Sequence, residues 1–480
     1  MAFNRKAKFR DNIEAIRTVF ELDKAKRQAT SAEKEILSRY CGFGGLKCIL
    51  NPANDLSDTV HWVKSDLELF PMTVELHQII RSNSTNEAEY KRYMDSMKSS
   101  VLTAFYTPTE IVSALSDTLH EHGVSPQRLL DPSAGQGVFI EAFDRHNPHA
   151  EVMAFEKDLL TGKVLTHLYP GHNIRVEGFE KMELPFNGYF DVVSSNIPFG
   201  DIAVFDPVFS GSKNNARRQS ARAIHNYFFA KGLDSVREGG IVAFITSQGV
   251  MNVPQYEAQR RLLLENADLI SAIRLPNNLF TETANTEVGS DLIVLQKHSG
   301  KEQLSSAEQA FLTGYITSSG TISNLYFQDG EHIVYTKRFL DTDPYGKPAM
   351  IYLHEGGAEG MAADLRRMLA LDFSQRLDKS LFERFSQSVP KAENSRSQKI
   401  ESTHSVSPTI DKKTVDTIQT EKEKQVIENK PEIEQPVMSL YDLFGFSEEE
   451  KRIAQTGGSE NTEQPIRQVS SIYQRSTFLI

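Results

Sequence analysis

Cysteine is nearly missing from this chain: Cys41 and Cys48 are the only two in 480 residues. Two thiols cannot build a disulfide framework, and neither has the His and Cys neighbours at ligand spacing that a zinc site needs. They read as reduced thiols of a cytoplasmic protein. Tryptophan is rarer still, with Trp62 alone. Long apolar runs are missing as well. No stretch approaches the roughly 20 residues of a membrane-spanning helix, and Met1–Arg10 lacks the apolar segment of a signal peptide. No membrane partner is expected. Positive charge is in deficit: the formal net charge is −11. That excludes a generally basic nucleic-acid coat protein. It leaves room for an enzyme that engages DNA through one local basic surface.

What is present divides the chain into four parts. Residues 1–100 read as a helical N-terminal region. Thr30-Ser31-Ala32-Glu33 is a capping box opening a helix that should stop at Gly42. Trp62 and Glu87–Met97 suggest further helices. Residues 101–300 alternate helical patterns with seven short apolar runs: 128–130, 151–155, 173–176, 190–193, 240–245, 269–273 and 291–295. This alternation predicts an α/β fold, a doubly wound seven-stranded Rossmann-like sheet closed by an antiparallel hairpin at its edge. Residues 301–386 read as a small α+β appendage, with strands at His332–Thr336 and Ala349–Leu353 and helices over Met361–Phe385. Residues 387–480 are too polar to bury a core and are expected to be disordered. Within them, an apolar island at 440–452 reads as a docking motif.

Two motifs carry chemistry. The first is Asp131-Pro132-Ser133-Ala134-Gly135-Gln136-Gly137, a Gly-rich turn between a strand and a helix. Its glycines allow backbone to approach a ligand closely. Ile140 stands where a dinucleotide fold would want a third Gly. Asp131 would repel a pyrophosphate but accept from an ammonium or a ribose hydroxyl. S-adenosyl-L-methionine, a cation without phosphate, is therefore favoured over NAD. Glu156 directly follows the second strand, where doubly wound nucleoside sites bind ribose, with Asp158 in reserve. Tyr106-Thr107-Pro108 precedes a helix, and Thr107 could bond the methionine carboxylate there.

The second motif is Asn196-Ile197-Pro198-Phe199 after the run Phe190–Val193. The Asn196 amide oxygen and the Ile197 carbonyl can both accept from one planar amine, and Phe199 can stack on the base that carries it. Downstream, Lys213, Arg217, Arg218 and Arg222 form an acid-free basic stretch suited to phosphates.

The ordered set Phe105–Pro108, Asp131–Gly137, Glu156 and Asn196–Phe199 resembles the N6-adenine DNA methyltransferases. Tyr40–Leu46, Asn196–Asp201, His225–Phe229, Gly239–Ser247 and Ile273–Phe280 narrow the likeness to the methylase part of large phage and conjugative-element methylase–helicase proteins. The resemblance implies transfer of a methyl group from S-adenosyl-L-methionine to the N6 amine of a flipped adenine in double-stranded DNA, in a bacterial cytoplasm, without a metal. It implies cofactor contacts from Tyr106, Thr107, Asp131, Ser133, Ala134, Gly135, Gly137 and Glu156, with chemistry at Asn196, Ile197, Pro198 and Phe199. It also implies an acid just before Phe179 for the cofactor adenine. Gly178 takes that place here, which leaves Phe179 and Glu180 for the role. Ile197 replaces a family Pro. No large target-recognition domain is evident beyond residues 1–100 and 301–386 as candidates, so sequence specificity is expected to be loose or to come from a specificity or helicase partner protein. Two other readings fit the motifs: a protein glutamine methyltransferase, and a non-catalytic DNA-binding or anti-restriction protein of the same fold.

Overall fold

The computed structural model describes residues 4–386 except 285, 343–345 and 347. The tail at 387–480 and its 440–452 island therefore lie outside the described residues.

The chain opens with helices. Helix α1 (Arg5–Ala25) is capped by the Asn4 side chain. Helix α2 (Ser31–Ser38) opens on the expected capping box between Thr30 and Glu33. It ends at Arg39, a little before the glycines of the next turn. Trp62 stands at the end of a 3-10 turn, Leu56–His61, rather than in an α-helix. Its ring meets Phe70 edge-on at 5.2 Å, where α3 (Phe70–Ser82) begins. Helix α4 spans Glu87–Thr103. These helices bury Phe9, Ile16, Leu37, Tyr40 and Phe43 together with Leu160 and Val164 of α7 (Leu159–Leu168). The N-terminal region is thus seated on the sheet's own helical layer.

The expected seven-stranded sheet is present. Its strands are β1 (Arg128–Asp131), β2 (Glu151–Phe155), β3 (Asn173–Arg175), β4 (Phe190–Asn196), β5 (Val236–Ser247), β6 (Ala267–Leu275) and β7 (Ser290–Lys297). The spatial order is β3-β2-β1-β4-β5-β7-β6. Every pairing is parallel except those of β7, which runs antiparallel between β5 and β6. The last two strands form the edge hairpin, with β7 folded inward. Order reverses between β1 and β4, and ligands of open α/β sheets bind outside the carboxyl ends at such a point.

Each face of the sheet is covered. Helices α5 (Thr109–Glu121) and α6 (Val138–Asp144) pack on one side, with Ile111, Leu115, Phe139 and Phe143 against Leu129, Val192 and Ile245. Tyr227, Phe229 and Leu233 pack on the other side against Val193, Val242 and Phe244. Residues 301–386 do not build a separate core. Phe311 and Phe327 join the second layer, while Leu365, Leu369 and Phe373 of the helix Gly357–Arg376 join the first. The expected appendage is therefore part of the sheet's covering.

The strand expected at His332–Thr336 is corrected. That segment makes one isolated bridge, Ile333 to Arg274, because it only brushes the edge strand β6. The true ladder pairs Lys337–Thr342 with Pro348–Leu353. A further short pair, Gly314–Ile316 with Ile322–Asn324, left no clear alternation in the sequence.

Candidate active site

The Gly-rich turn between β1 and α6 takes a shape that only glycine adopts freely. Gly135 and Gly137 have φ of +52° and +84°. A Cβ on Gly135 would lie 2.7 Å from the Tyr106 ring, and one on Gly137 would lie 2.5 Å from Tyr169. Tyr106 therefore packs directly against the turn. Ala134 fixes the turn to β2 by donating its N–H to the Phe155 carbonyl at 2.9 Å.

Two carboxylates close the base of this turn. Asp131, at the end of β1, is fully buried. Its Oδ1 accepts from the Ser133 N–H at 3.2 Å and from the Ser195 hydroxyl at 2.7 Å. Its Oδ2 is buried and has no hydrogen-bond partner among the described residues. Burial pushes its carboxyl up to about 7, against the pull of those two bonds. Glu156 follows β2 and is half-buried. It accepts from the Gly135 N–H at 2.8 Å and the Asp158 N–H at 2.7 Å. Burial, then the neighbouring charge of Asp158, pushes its carboxyl up to about 8. Asp158 itself caps α7 and accepts from Ser96 at 2.6 Å, so it is committed to structure.

Ser195 places Asp131 one residue from Asn196, the last residue of β4. Asn196 donates its Nδ2–H to the Phe105 carbonyl at 2.9 Å. This fixes the amide, and leaves Oδ1 buried without a partner. Two residues beyond Phe105, the Thr107 hydroxyl is likewise buried and unpaired. Such atoms are costly to leave alone in an apolar setting. Three of them, Thr107 Oγ1, Asp131 Oδ2 and Asn196 Oδ1, belong to segments linked directly by hydrogen bonds. A cationic nucleoside with a carboxylate tail and an exocyclic-amine substrate would satisfy this set, so the residues fit S-adenosyl-L-methionine. A cavity of about 390 Å³ extends the site on the Thr107 side. Tyr106, Thr107, Gln136 and Leu279 line it, whereas the two carboxylates lie outside it.

The other residues singled out in the sequence divide. Ile197 is buried and donates its N–H to Ile245 at 3.0 Å, while Pro198 and Phe199 are half-buried. The Phe199 ring meets Phe280 edge-on at 6.4 Å. Phe179 is only 1% exposed and packs on Phe155 and Phe228. Glu180 folds back on Gly178: a Cβ at Gly178 would lie 2.2 Å from its carboxylate. Among the basic residues, Arg217 is spent on a two-point pair with Asp234 and lies over the Phe209 ring. It is removed from the phosphate-facing set. Lys213, Arg218 and Arg222 are exposed and have no acidic partner within salt-bridge distance among the described residues.

Some positions in the site carried no role in the sequence reading. Ser195 couples the two motifs, but the coupling depends on β1 and β4 being neighbours. His225 lies under the Asn196–Asp201 loop and its Nδ1 accepts from the Gly200 N–H at 3.4 Å. Burial lowers its pKa to about 4, which keeps the ring neutral. The Gly-rich turn after α2 packs against the site. Gln136 donates to the Tyr40 carbonyl, and a Cβ on Gly42 would press on Ala104 and Tyr106.

Comparison with known proteins gives a consistent group. Residues 90–314 match the family described as N-6 DNA Methylase. Similarity extends to the "Defense against restriction protein B" of Escherichia phage P1, at 27% identity over 41% of this chain and 8% of that protein. It also extends to "Type II methyltransferase M.XamI" of Xanthomonas campestris pv. amaranthicola, at 30% identity over 34% of this chain and 33% of that protein. The chain thus spans a third or less of the length of these two relatives. Among solved structures, the methyltransferase subunit of the type I restriction-modification system of Streptococcus thermophilus aligns with a TM-score of 0.36. The identity is 12%, over 78% of this chain and 94% of that one.

Proposed function

We propose, from the match of residues 90–314 to the family described as N-6 DNA Methylase, that this protein methylates the N6 amine of adenine in double-stranded DNA, with S-adenosyl-L-methionine as donor. The observation that carries the reading is Asn196: its amide is fixed by Phe105 with a buried, unpaired Oδ1 aimed at no protein donor. An exocyclic amine is the group this acceptor lacks.

The residues divide the work as follows. Glu156 would accept the ribose hydroxyls, and Asp131 Oδ2 would accept from the cationic methionine end. Thr107 would donate to the carboxylate. Glu180 reaches back into the space that a side chain at position 178 would occupy. An acid placed there from two residues downstream would accept from the cofactor adenine, restoring what Gly178 removes. Phe179 would contribute shape rather than an open stacking face. When bound, the cofactor supplies a methyl carbon on a cationic sulfonium, which leaves as a neutral thioether.

The target adenine has to leave the duplex to reach this site. Phe199 would stack on it. Asn196 Oδ1 and the Ile197 carbonyl would each accept one N6–H, which turns the nitrogen lone pair towards the methyl carbon. The new N–C bond forms from that lone pair. The excess proton leaves afterwards, when alkylation has made the amine acidic, so no strong base is needed. Most of the acceleration comes from holding two reactants in line. Lys213, Arg218 and Arg222 would hold phosphates beside the flipped base. The test is transfer of tritiated methyl from S-adenosyl-L-methionine to duplex DNA followed by nucleoside analysis. Label in N6-methyladenine supports the reading; label in cytosine or in protein glutamine overturns the substrate.

The likeness to a protein named for defence against restriction suggests a mobile-element setting for the same chemistry. Target choice would then come from a partner specificity or helicase protein.

A further inference from the structure

The segment after the Asn196–Gly200 loop holds a side chain that the fold does not use. Phe205 is 80% exposed, and it is the only exposed phenylalanine among the described residues. Scattered exposed apolar residues need no explanation. This one stands on a backbone pinned on both sides. Before it, Val204 donates its N–H to the Ala221 carbonyl at 2.8 Å and packs on the core. After it, Asp206 is buried, accepts from Tyr227 at 2.7 Å and Lys231 at 3.1 Å, and caps the helix Pro207–Ser210. The aromatic ring is therefore held out by a fixed frame.

The frame is tied to the active loop. Gly200 is bonded to His225 and Asp206 to Tyr227, and both partners lie near the start of the helix Ile224–Ser235. Two residues of helix rise only about 3 Å. Gly200–Asp206 is thus a loop fastened at both ends to the first turn of one helix. Phe205 stands at one end and the Phe199–Gly200 turn at the other. The bond from Val204 to Ala221 joins the backbone stretches that carry Phe205 and Arg222, an exposed cation with no acidic partner within salt-bridge distance among the described residues. Ile202 and Val208, three residues to either side in the sequence, are exposed as well.

We infer that Phe205 is a wedge that enters the base stack of the duplex when the target adenine leaves it. This rests on the DNA methyltransferase reading. Apolar side chains enter base steps in this way, while cations beside them hold the backbone. The chemistry matches: a flat apolar group for the gap and Arg222 for the adjacent phosphate. An aromatic ring filling the gap would replace part of the stacking that flipping removes.

The inference separates duplex from single-stranded DNA, since only the duplex has a stack to refill. Initial rates of tritiated methyl transfer are compared on sheared genomic DNA before and after heat denaturation. For Phe205→Ala the duplex-to-single-strand rate ratio should fall about tenfold or more, the scale of one base–aromatic stack. Phe205→Trp should restore it. A ratio equal to that of the unaltered protein overturns the wedge while leaving the methyltransferase reading intact. Failure of the unaltered protein to methylate either substrate overturns that reading instead. Phe205→Trp gives a second readout that needs no turnover. Its emission above the background of Trp62, which is 7% exposed, should be quenched by saturating duplex. Unchanged emission contradicts the wedge.

Discussion

Asn196 makes one hydrogen bond where its amide could make several, and the missing ones define the site. Replacing it with Ala removes the acceptor proposed for the target amine. The expected result is a fall of about 100-fold or more in methyl transfer, with cofactor affinity nearly unchanged because the proposed role of the residue is to hold the base. Calorimetry beside a rate assay separates the two. Glu156 and Asp131 give a second prediction. Their carboxyls titrate near 8 and 7 in the free protein, well above their ordinary values of 4.5 and 3.8. A ligand that donates to them, or carries a positive charge, prefers the ionised forms. Cofactor binding should therefore release protons, and affinity should rise from pH 6 to about pH 8.5. The sign for folding is opposite. A raised carboxyl binds protons better in the folded state, so stability is lost as pH climbs from about 4 through 8. The cofactor-free protein should melt lower at pH 8.5 than at pH 6. Affinity that is flat with pH would remove these two groups from the site.

At the scale of the element, the glycine turn and the basic loop differ in how far the sequence disclosed them. The turn is local chemistry. Gly135 and Gly137 sit between an apolar strand and a helix start, and their positive φ values follow from that geometry. Gly135→Ala should strain the backbone and push on Tyr106, costing about 1–3 kcal/mol. Thermal unfolding and cofactor titration both read it. The basic loop is decided by tertiary packing. Lys213, Arg217, Arg218 and Arg222 look alike as a charge run, yet Arg217 turns inward to Asp234 on the following helix. Neutralising Lys213, Arg218 and Arg222 should flatten the salt dependence of DNA binding by up to about 0.9 for each phosphate no longer neutralised. Arg217→Ala should lower the melting temperature and leave that slope alone. Short continuous apolar runs marked all seven strands of the sheet, because a strand buried on both faces has no polar side. The same reading misled at His332–Thr336, where the segment touches the sheet at one bridge only. The Asp131–Ser195 bond was not legible, since the two residues are 64 apart and meet through strand pairing.

Over the molecule as a whole, a helical region, a doubly wound sheet and the elements of residues 301–386 share their cores. The N-terminal glycine turn at Tyr40–Leu46 and the helix Gly357–Arg376 both border the site formed at the carboxyl ends of the strands. The activity proposed for this arrangement is adenine N6 methylation. Nucleoside analysis of duplex DNA after incubation with the full chain and tritiated S-adenosyl-L-methionine tests it. Label is expected in N6-methyladenine, strongly reduced in Asn196→Ala. Label in another base or in protein glutamine, or no incorporation into any DNA with Asn196→Ala indistinguishable from the unaltered protein, would contradict it.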